Sequence, residues 1–330
     1  MQYKHISEAA KEALQYIEDR KDGKQLPLYT KLPKLNKAID GFSWGRIYTF
    51  GGTSASGKSL TLEQIKREIV DTNPHESFNI LSFEFEMLAT DQIARNISGK
   101  INKSVKEIYS ANHDYLSQED FSKIESIVEE FKVYPIYYVD EIGTVSDIEK
   151  TIYKFIFEHS PNKEKGTIIT LDHTLMTKGL DGQSEKTVVD NLMHKCVELK
   201  KSLTAQGWKI MFILLSQLNR DIERQDRIIN PAFHYPNKND IFAASSVYYS
   251  SDVVIILHKP AIIEGLGSYY GPPREKWGFP KGLPVILENG RAMIYWHVIK
   301  SRFDTNQILL MMDDFSNSRV LEYSPDTEKK

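Results

Sequence analysis

The stretch "GGTSASGKSL" at residues 51–60 contains the pattern G-x-x-x-x-G-K-[ST], running from Gly52 to Ser59. Each fixed position has a chemical reason. Gly52 and Gly57 permit a turn that aims backbone N–H groups at phosphate oxygens. Lys58 would neutralise β- and γ-phosphate charge, and the Ser59 hydroxyl would reach a magnesium ion. A β-rich run, "RIYTFGG", precedes the loop, and a helix-like run, "SLTLEQIKREIVD", follows it. In that context the nucleotide-binding stretch is Gly52, Thr53, Ser54, Ala55, Ser56, Gly57, Lys58, Ser59 and Leu60.

Four further stretches carry polar side chains to the ends of apolar runs. "TIITLD" ends in Asp172, which puts a carboxylate at the C-terminal edge of a sheet, where ligands of open α/β folds bind. There Asp172 is expected to hold magnesium through water. "LSFEFEM" offers Glu84 and Glu86. Hydrolysis needs one carboxylate to orient and polarise water, but both share one strand parity, so spacing does not choose between them. "ILLSQLNR" brings Gln217 to a strand end, where a neutral amide can sense a γ-phosphate by hydrogen bonding. The loop behind it holds Arg220, Arg224, Arg227 and Lys238 with Phe233, His234 and Tyr235. Basic residues mixed with aromatics suit a nucleic-acid backbone, although Asp221, Glu223, Asp226 and Asp240 dilute the charge. In "VIKSRFD", Lys300 and Arg302 alternate on one strand face. Such a pair can reach a neighbouring subunit's nucleotide, or simply decorate an exposed edge strand.

The elements that must position these groups alternate. Between the glycine loop and the C-terminus, "FNILSFEF", "YPIYYVD", "GTIITLD", "IMFILLS", "VVIIL" and "MIYWHVI" read as strands, with helical stretches between most of them. Apolar strands separated by helices imply an α/β fold with a mostly parallel sheet covered on both faces. Residues 29–330 read as one such domain, preceded by residues 1–28 as a helix and linker. In that helix Ile6, Ala10, Ala13, Leu14 and Ile17 follow helical spacing, and the apolar stripe needs a partner in its own domain or in a neighbouring subunit. Residues 178–187 and 220–240 read as polar loops after strands, and residues 259–284 as a Gly/Pro-rich excursion.

Composition narrows the partners. A formal net charge of −3 excludes a uniformly cationic surface, so nucleic-acid contact must come from a local patch. One cysteine, Cys196, excludes an internal disulfide and fits a reducing cytoplasm. No apolar run is long enough to predict a membrane span.

In this order, the stretches resemble the C-terminal motor domain of the DnaB-type replicative helicases, within the RecA-like P-loop ATPases. The resemblance covers most of the chain. It includes "LYTKLPKLNKAIDGFSWGRIYTFGG", "FEFEMLATDQIARN", "YPIYYVDEIGTVSDIEKTI", "LDHTLM" at Walker B, "LSQLNR", the most specific match, and "IKSRF". By position it implies an ATP- and Mg²⁺-dependent motor on single-stranded DNA, with Glu86 rather than Glu84 polarising water. It implies Lys58 and Ser59 on phosphates and metal, Asp172 on the metal, Gln217 as γ-phosphate sensor, and Lys300 with Arg302 acting across a subunit interface. Arg220 and the loops after it would face a central channel. Residues 6–20 resemble the family's linker helix, so a hexameric ring is the expected assembly, with a primase or helicase loader as a further candidate partner.

The sequence departs from the family in four places. The resemblance begins at the linker helix, without the N-terminal domain that helps build the collar and contacts primase. Ring stability is therefore expected to need DNA or nucleotide. "NDIFAASSVYYSSD" at 239–252 lacks the usual arginine- and glycine-containing DNA loop. The 259–284 segment is longer than the family's, and "FDTNQ" replaces a glycine-containing turn after Arg302. The same motif core would also serve a RecA-like strand-binding recombinase or a regulatory ATPase that does not unwind. Closed-ring assembly and DNA-stimulated hydrolysis separate the three.

Overall fold

A computed structural model of the chain describes residues 3–111, 115–230, 234–302 and 305–324. Helices α1 (Ile6–Lys21) and α2 (Pro33–Ile39) come first. The alternation then runs β1 (Ile47–Gly52), α3 (Lys58–Thr72), β2 (Phe78–Glu84), α4 (Ala89–Ile101), α5 (Val105–Ile108), α6 (Gln118–Phe131) and β3 (Ile136–Val139). It continues through α7 (Val145–His159), β4 (Gly166–Asp172), α8 (Glu185–Ala205), β5 (Ile210–Gln217), α9 (Gln225–Ile228), α10 (Ala244–Ser250) and β6 (Val253–His258). After β6 the described residues add strands and short 3₁₀ turns: β7 (Tyr269–Tyr270), β8 (Leu283–Pro284), β9 (Met293–Ser301), β10 (Gln307–Asp314) and β11 (Arg319–Glu322).

Nine strands form one sheet in the order β11-β10-β9-β6-β1-β5-β4-β2-β3. The run from β6 to β3 is parallel, while β9, β10 and β11 add on antiparallel. β1, β2, β4, β5 and β6 are buried almost end to end, as expected for strands covered on both faces. On one face, Leu35 of α2 and Leu62, Ile65 and Ile69 of α3 pack on Phe50, Ile213 and Ile255. On the other, Ile152 of α7, Leu192 and Leu199 of α8 and Val247 of α10 pack on Ile169, Leu214 and Ile256. This is the RecA-like architecture anticipated from the sequence.

Two strands of this sheet, β10 and β11, were not anticipated. They change the status of β9, which lies between β6 and β10 and is not an edge strand. The excursion at 259–284 covers β9 and β10: Tyr270 and Leu283 of the β7–β8 hairpin are fully buried against Met293, Tyr295 and Met312. Tyr270 stacks on Tyr295 with ring centres 5.1 Å apart. Three histidines sit in this layer. His234 and His258 lie 5.5 Å apart and His258 and His297 6.3 Å apart, ring centre to ring centre.

The 220–240 segment is likewise more ordered than a polar loop. Its described residues include α9 and the 3₁₀ turns Arg220–Glu223 and Lys238–Asp240. Helix α1 buries none of its residues, and Ile6, Leu14 and Ile17 of its apolar stripe are exposed. Its C-terminal Arg20 bonds Asp40 at 2.5 Å. No helix among the described residues is long and apolar enough to cross a membrane.

Candidate nucleotide site and nucleic-acid face

β1 is the central strand, and its last residue pairs in register with Gln217 of β5 on one side and Leu257 of β6 on the other. The loop that leaves it is tight. A Cβ on Gly52 would lie 2.4 Å from Ser56 Oγ and 2.9 Å from the Leu257 carbonyl, so only glycine fits. Gly57 has φ +90°, the left-handed region that glycine enters without strain. Ser56 Oγ and Lys58 Nζ both donate to the Thr53 carbonyl at 2.8 Å. The first turn of α3 begins at Lys58, and its leading N–H groups have no intrahelical acceptor. They face a cleft of about 410 Å³ lined by Ser54, Gly57, Lys58, Ser59, Glu86 and His173, among others.

Ser59 and Asp172 meet in this cleft, with Ser59 Oγ donating to Asp172 Oδ1 at 3.1 Å. Asp172 Oδ2 is buried and has no hydrogen-bond partner among the described residues. Burial pushes the Asp172 carboxyl up to about 7, and the Glu84 charge adds to this. Burial also pulls the Lys58 ammonium down to about 8, against the opposing influence of Asp172 and Glu86. Both groups are thus poorly solvated, and an ion brought into the cleft would be stabilised by them more strongly than in water.

The two glutamates left open by spacing are separated here. β2 ends at Glu84, so strand parity does not extend to Glu86, and the expectation of one shared face fails. Glu84 is 1% exposed and receives Lys66 Nζ at 2.7 Å, Ser82 Oγ at 2.5 Å and Gln92 Nε2 at 2.9 Å. Burial opposes its charge most, but Lys66, Ser82 and Gln92 together hold the carboxyl below its usual range. Glu63 closes the same buried group against Lys66, with Asn96 Nδ2 donating to it at 3.1 Å. Glu86, by contrast, is exposed on the cleft beside Lys58.

Gln217 ends β5 in register with Gly52, and its side chain lies beside His173, which lines the cleft. His173 was not among the sequence candidates. It follows Asp172 directly, with φ +66°, an unusual backbone for a non-glycine residue. Its Nδ1 is buried without a partner among the described residues, and burial lowers its pKa. Its place immediately after Walker B was the only signal in the sequence.

The four basic candidates behind Gln217 do not behave alike. Arg220 is exposed. Arg224 pairs with Asp226 at 3.1 Å on the surface, and the Lys238 ammonium lies 6.0 Å from the Tyr248 ring centre. Arg227 is different: it bonds Asp240 at 2.5 Å and the Tyr235 carbonyl at 2.9 Å. Asp240 is 2% exposed, so this pair braces the segment from inside, where the sequence had suggested a solvent-facing cation. Phe233 lies outside the described residues.

Lys300 and Arg302 are remote from their own phosphate loop. Arg302 Nε bonds Asp252 at 3.2 Å, at the start of β6, whereas Gly52 pairs with Leu257 near its end. The length of β6 between these points puts the pair roughly 17 Å away at ~3.3 Å per residue. Lys300 Nζ donates to the Tyr248 carbonyl at 2.5 Å and Arg302 to the Tyr249 carbonyl at 3.4 Å. Both carbonyls belong to the last turn of α10, where cations complement the helix dipole.

Comparison with known proteins agrees with this geometry. No curated protein matches the chain. Among solved structures, an ATPase domain aligns over 98% of this chain and 100% of its own, with 16% identity and a TM-score of 0.76. A DnaB-like replicative helicase, solved in a study of its interactions with primase, aligns over 98% of this chain and 68% of its own, at 15% identity and TM-score 0.73. A KaiC-like protein from Pyrococcus horikoshii OT3 aligns over 91% of this chain and 100% of its own, at 14% identity and TM-score 0.51. At these identities the structures speak for the fold alone. The family model described as DnaB-like helicase C terminal domain matches residues 27–273. With that match over most of its length, the chain belongs to the DnaB-like helicase C-terminal domain family and is a P-loop ATPase of the replicative helicase type.

Proposed function

We propose that the chain is the motor of a ring-shaped helicase, which hydrolyses ATP to translocate on single-stranded DNA and separate duplex. The observation that carries this reading is the position of Lys300 and Arg302. Both sit at the sheet edge opposite their own Gly52–Ser59 loop, tied to the end of α10. A pair so placed can serve a nucleotide only across an interface with another copy. The exposed stripe of α1, with Ile6, Leu14 and Ile17, offers a second contact for that neighbour, as a linker helix would. A homo-hexamer satisfies both.

Within each cleft the residues divide the work. The leading N–H groups of α3 and the Lys58 ammonium bind the triphosphate. Ser59 Oγ and the unpartnered Asp172 Oδ2 form a hard oxygen donor set that fits Mg²⁺. When bound, that ion supplies charge neutralisation at the phosphates. Glu86 orients the attacking water and takes its proton. Gln217, beside His173, reads whether a γ-phosphate is present and passes that state to the segment beginning at Arg220. Arg220, Arg224 and Lys238 then contact the DNA backbone, with Arg227 bracing their loop. A primase or a loader remains a candidate partner of the assembled ring.

The test is ATP hydrolysis with and without single-stranded DNA, with particle mass read by light scattering in the same sample. A ring-sized particle with DNA-stimulated hydrolysis supports the motor. Strand separation of a forked duplex is then measured on the same particle, and a ring or filament with DNA-stimulated hydrolysis that leaves the fork intact points to a strand-binding ATPase instead. A monomer with DNA-indifferent hydrolysis rejects both.

A further inference from the structure

The 259–284 excursion has an outer side that its covering role leaves open. It is packed directly onto the 220–240 segment. Ile222 and Ile228 of that segment are buried with Ile263, and Leu266 packs against them. Tyr235 lies so close to Gly271 that a Cβ there would overlap its ring, and Arg274 Nε donates to Tyr235 Oη at 3.2 Å. Beyond Arg274 the chain closes a small loop. Arg274 and Phe279 exchange two backbone hydrogen bonds, at 2.7 and 3.0 Å, around the 3₁₀ turn Glu275–Trp277. The loop leaves Trp277 44% exposed, and Tyr269 of β7 is 42% exposed. A cleft of about 640 Å³ opens between them, lined by Tyr269, Trp277, Phe279, Lys281 and Tyr323 among others.

Cations accompany these rings. The Arg274 guanidinium lies 4.4 Å from the Trp277 ring centre, and the Lys281 ammonium 5.8 Å from that of Tyr269. Lys259 and Arg291, which flank the stretch, pair with Asp313 and Asp314, whereas Arg274, Lys276 and Lys281 have no carboxylate partner among the described residues. Exposed aromatic rings beside such cations suit unpaired bases and their phosphates; a duplex keeps its base faces stacked inside. We propose that this outer side is a second contact for single-stranded DNA, in which Trp277 and Tyr269 stack on bases that lie beyond the segment beginning at Arg220. Glu264, Glu275 and Glu288 share the stretch, so stacking rather than charge supplies most of the grip. This deepens the DNA-binding reading and rests on it. It also gives a use to the open side of a segment longer than the family's.

The experiment titrates the full chain, with Mg²⁺ and a non-hydrolysable ATP analogue, into labelled oligo(dT) and into an abasic oligomer of the same length, read by fluorescence anisotropy. Trp277→Ala should weaken oligo(dT) binding at least about fivefold, leave the abasic oligomer within about twofold, and change neither the salt slope nor the melting temperature. Trp277→Phe should keep most of the affinity. Trp277 is the one exposed indole of the four in the chain, so unlabelled oligo(dT) should quench the tryptophan emission of the unaltered protein and not that of Trp277→Phe. An unchanged oligo(dT) affinity in Trp277→Ala overturns the contact, and a changed particle mass in its place would mark the loop as a protein interface. Equal loss for both oligomers with lowered melting would mean that Trp277 only props the 220–240 segment, and overturns the contact as well. Failure of the unaltered protein to bind oligo(dT) is a separate result, which rejects the DNA-binding reading itself.

Discussion

The Lys66 ammonium sits 2.7 Å from the Glu84 carboxylate, and both side chains are almost fully buried. This pair locks the end of β2 to the middle of α3, and so fixes where the chain turns out into the cleft at Glu86. The two glutamates of "FEFEM" consequently do different jobs. Glu86→Gln should retain ATP binding and stop turnover. Lys66→Met strands the Glu84 and Glu63 charges in the interior and should cost ~3–5 kcal/mol of stability. Urea melts and single-turnover hydrolysis separate the two effects; a well-folded Lys66→Met protein of ordinary stability contradicts the assignment.

Lys58→Ala should abolish hydrolysis and weaken nucleotide binding. In this structure Lys58 Nζ bonds the Thr53 carbonyl, so the substitution also removes a contact within the loop. Tripolyphosphate affinity is the direct readout, because it reports the phosphate contacts alone.

Arg302→Ala should leave ATP binding intact and stop turnover only in the assembled ring. Mixing it with a Glu86→Gln protein restores some hydrolysis if the cation acts in trans, since a mixed interface can combine an intact Arg302 with an intact Glu86. No recovery on mixing, with rings still formed, counts against a trans role.

Arg220 and Arg227 provide an internal contrast. Arg220→Ala should weaken single-stranded DNA binding and reduce the slope of log affinity against log salt by up to ~0.7, with melting unchanged. Arg227→Ala removes the partner of the buried Asp240 and should lower stability by ~3–5 kcal/mol. Equal behaviour of the two in both assays would refute the distinction drawn between them.

The histidine layer predicts an acid limit. Burial lowers His258 well below its usual value, with His297 and His234 adding to this. Burial, with Arg274, pushes His297 down to about 3, and burial with Arg227 lowers His234. With folded values depressed, the unfolded chain takes up protons first. Stability is whole above the unfolded value near ~6.5 and falls as pH drops below it, each fully buried ring contributing up to ~1.4 kcal/mol per pH unit. Asp172, pushed up to about 7, works in the opposite direction over part of this range. His258→Phe should therefore flatten the loss of stability between about pH 6.5 and about pH 5. An unchanged slope in urea melts would show that the layer opens before it titrates.

The sequence alone determined the phosphate loop, because its chemistry is local: glycines, a lysine and a serine within ten residues between a strand and a helix. It also determined the parallel order of apolar strands and helices, and it brought Asp172 and Gln217 to strand ends, where such folds bind ligands. Contacts between distant residues were decided only by the tertiary structure. The proposed choice of Glu86 over Glu84 rests on resemblance; what only the fold shows is that Glu84 is already paired with Lys66, a residue on another element. Arg227 reads like its neighbours until Asp240 is seen to be buried beneath it. The 259–284 segment has no pattern that announces its purpose, because its purpose is to cover strands β9 and β10, and β10 was itself unread. Phe315 reaches Gly57 across 258 residues of chain, and the cleft is closed by a turn that no local signal connects to it. Side-chain type and spacing report what a short segment can do; burial and pairing depend on which segments the folded sheet brings together.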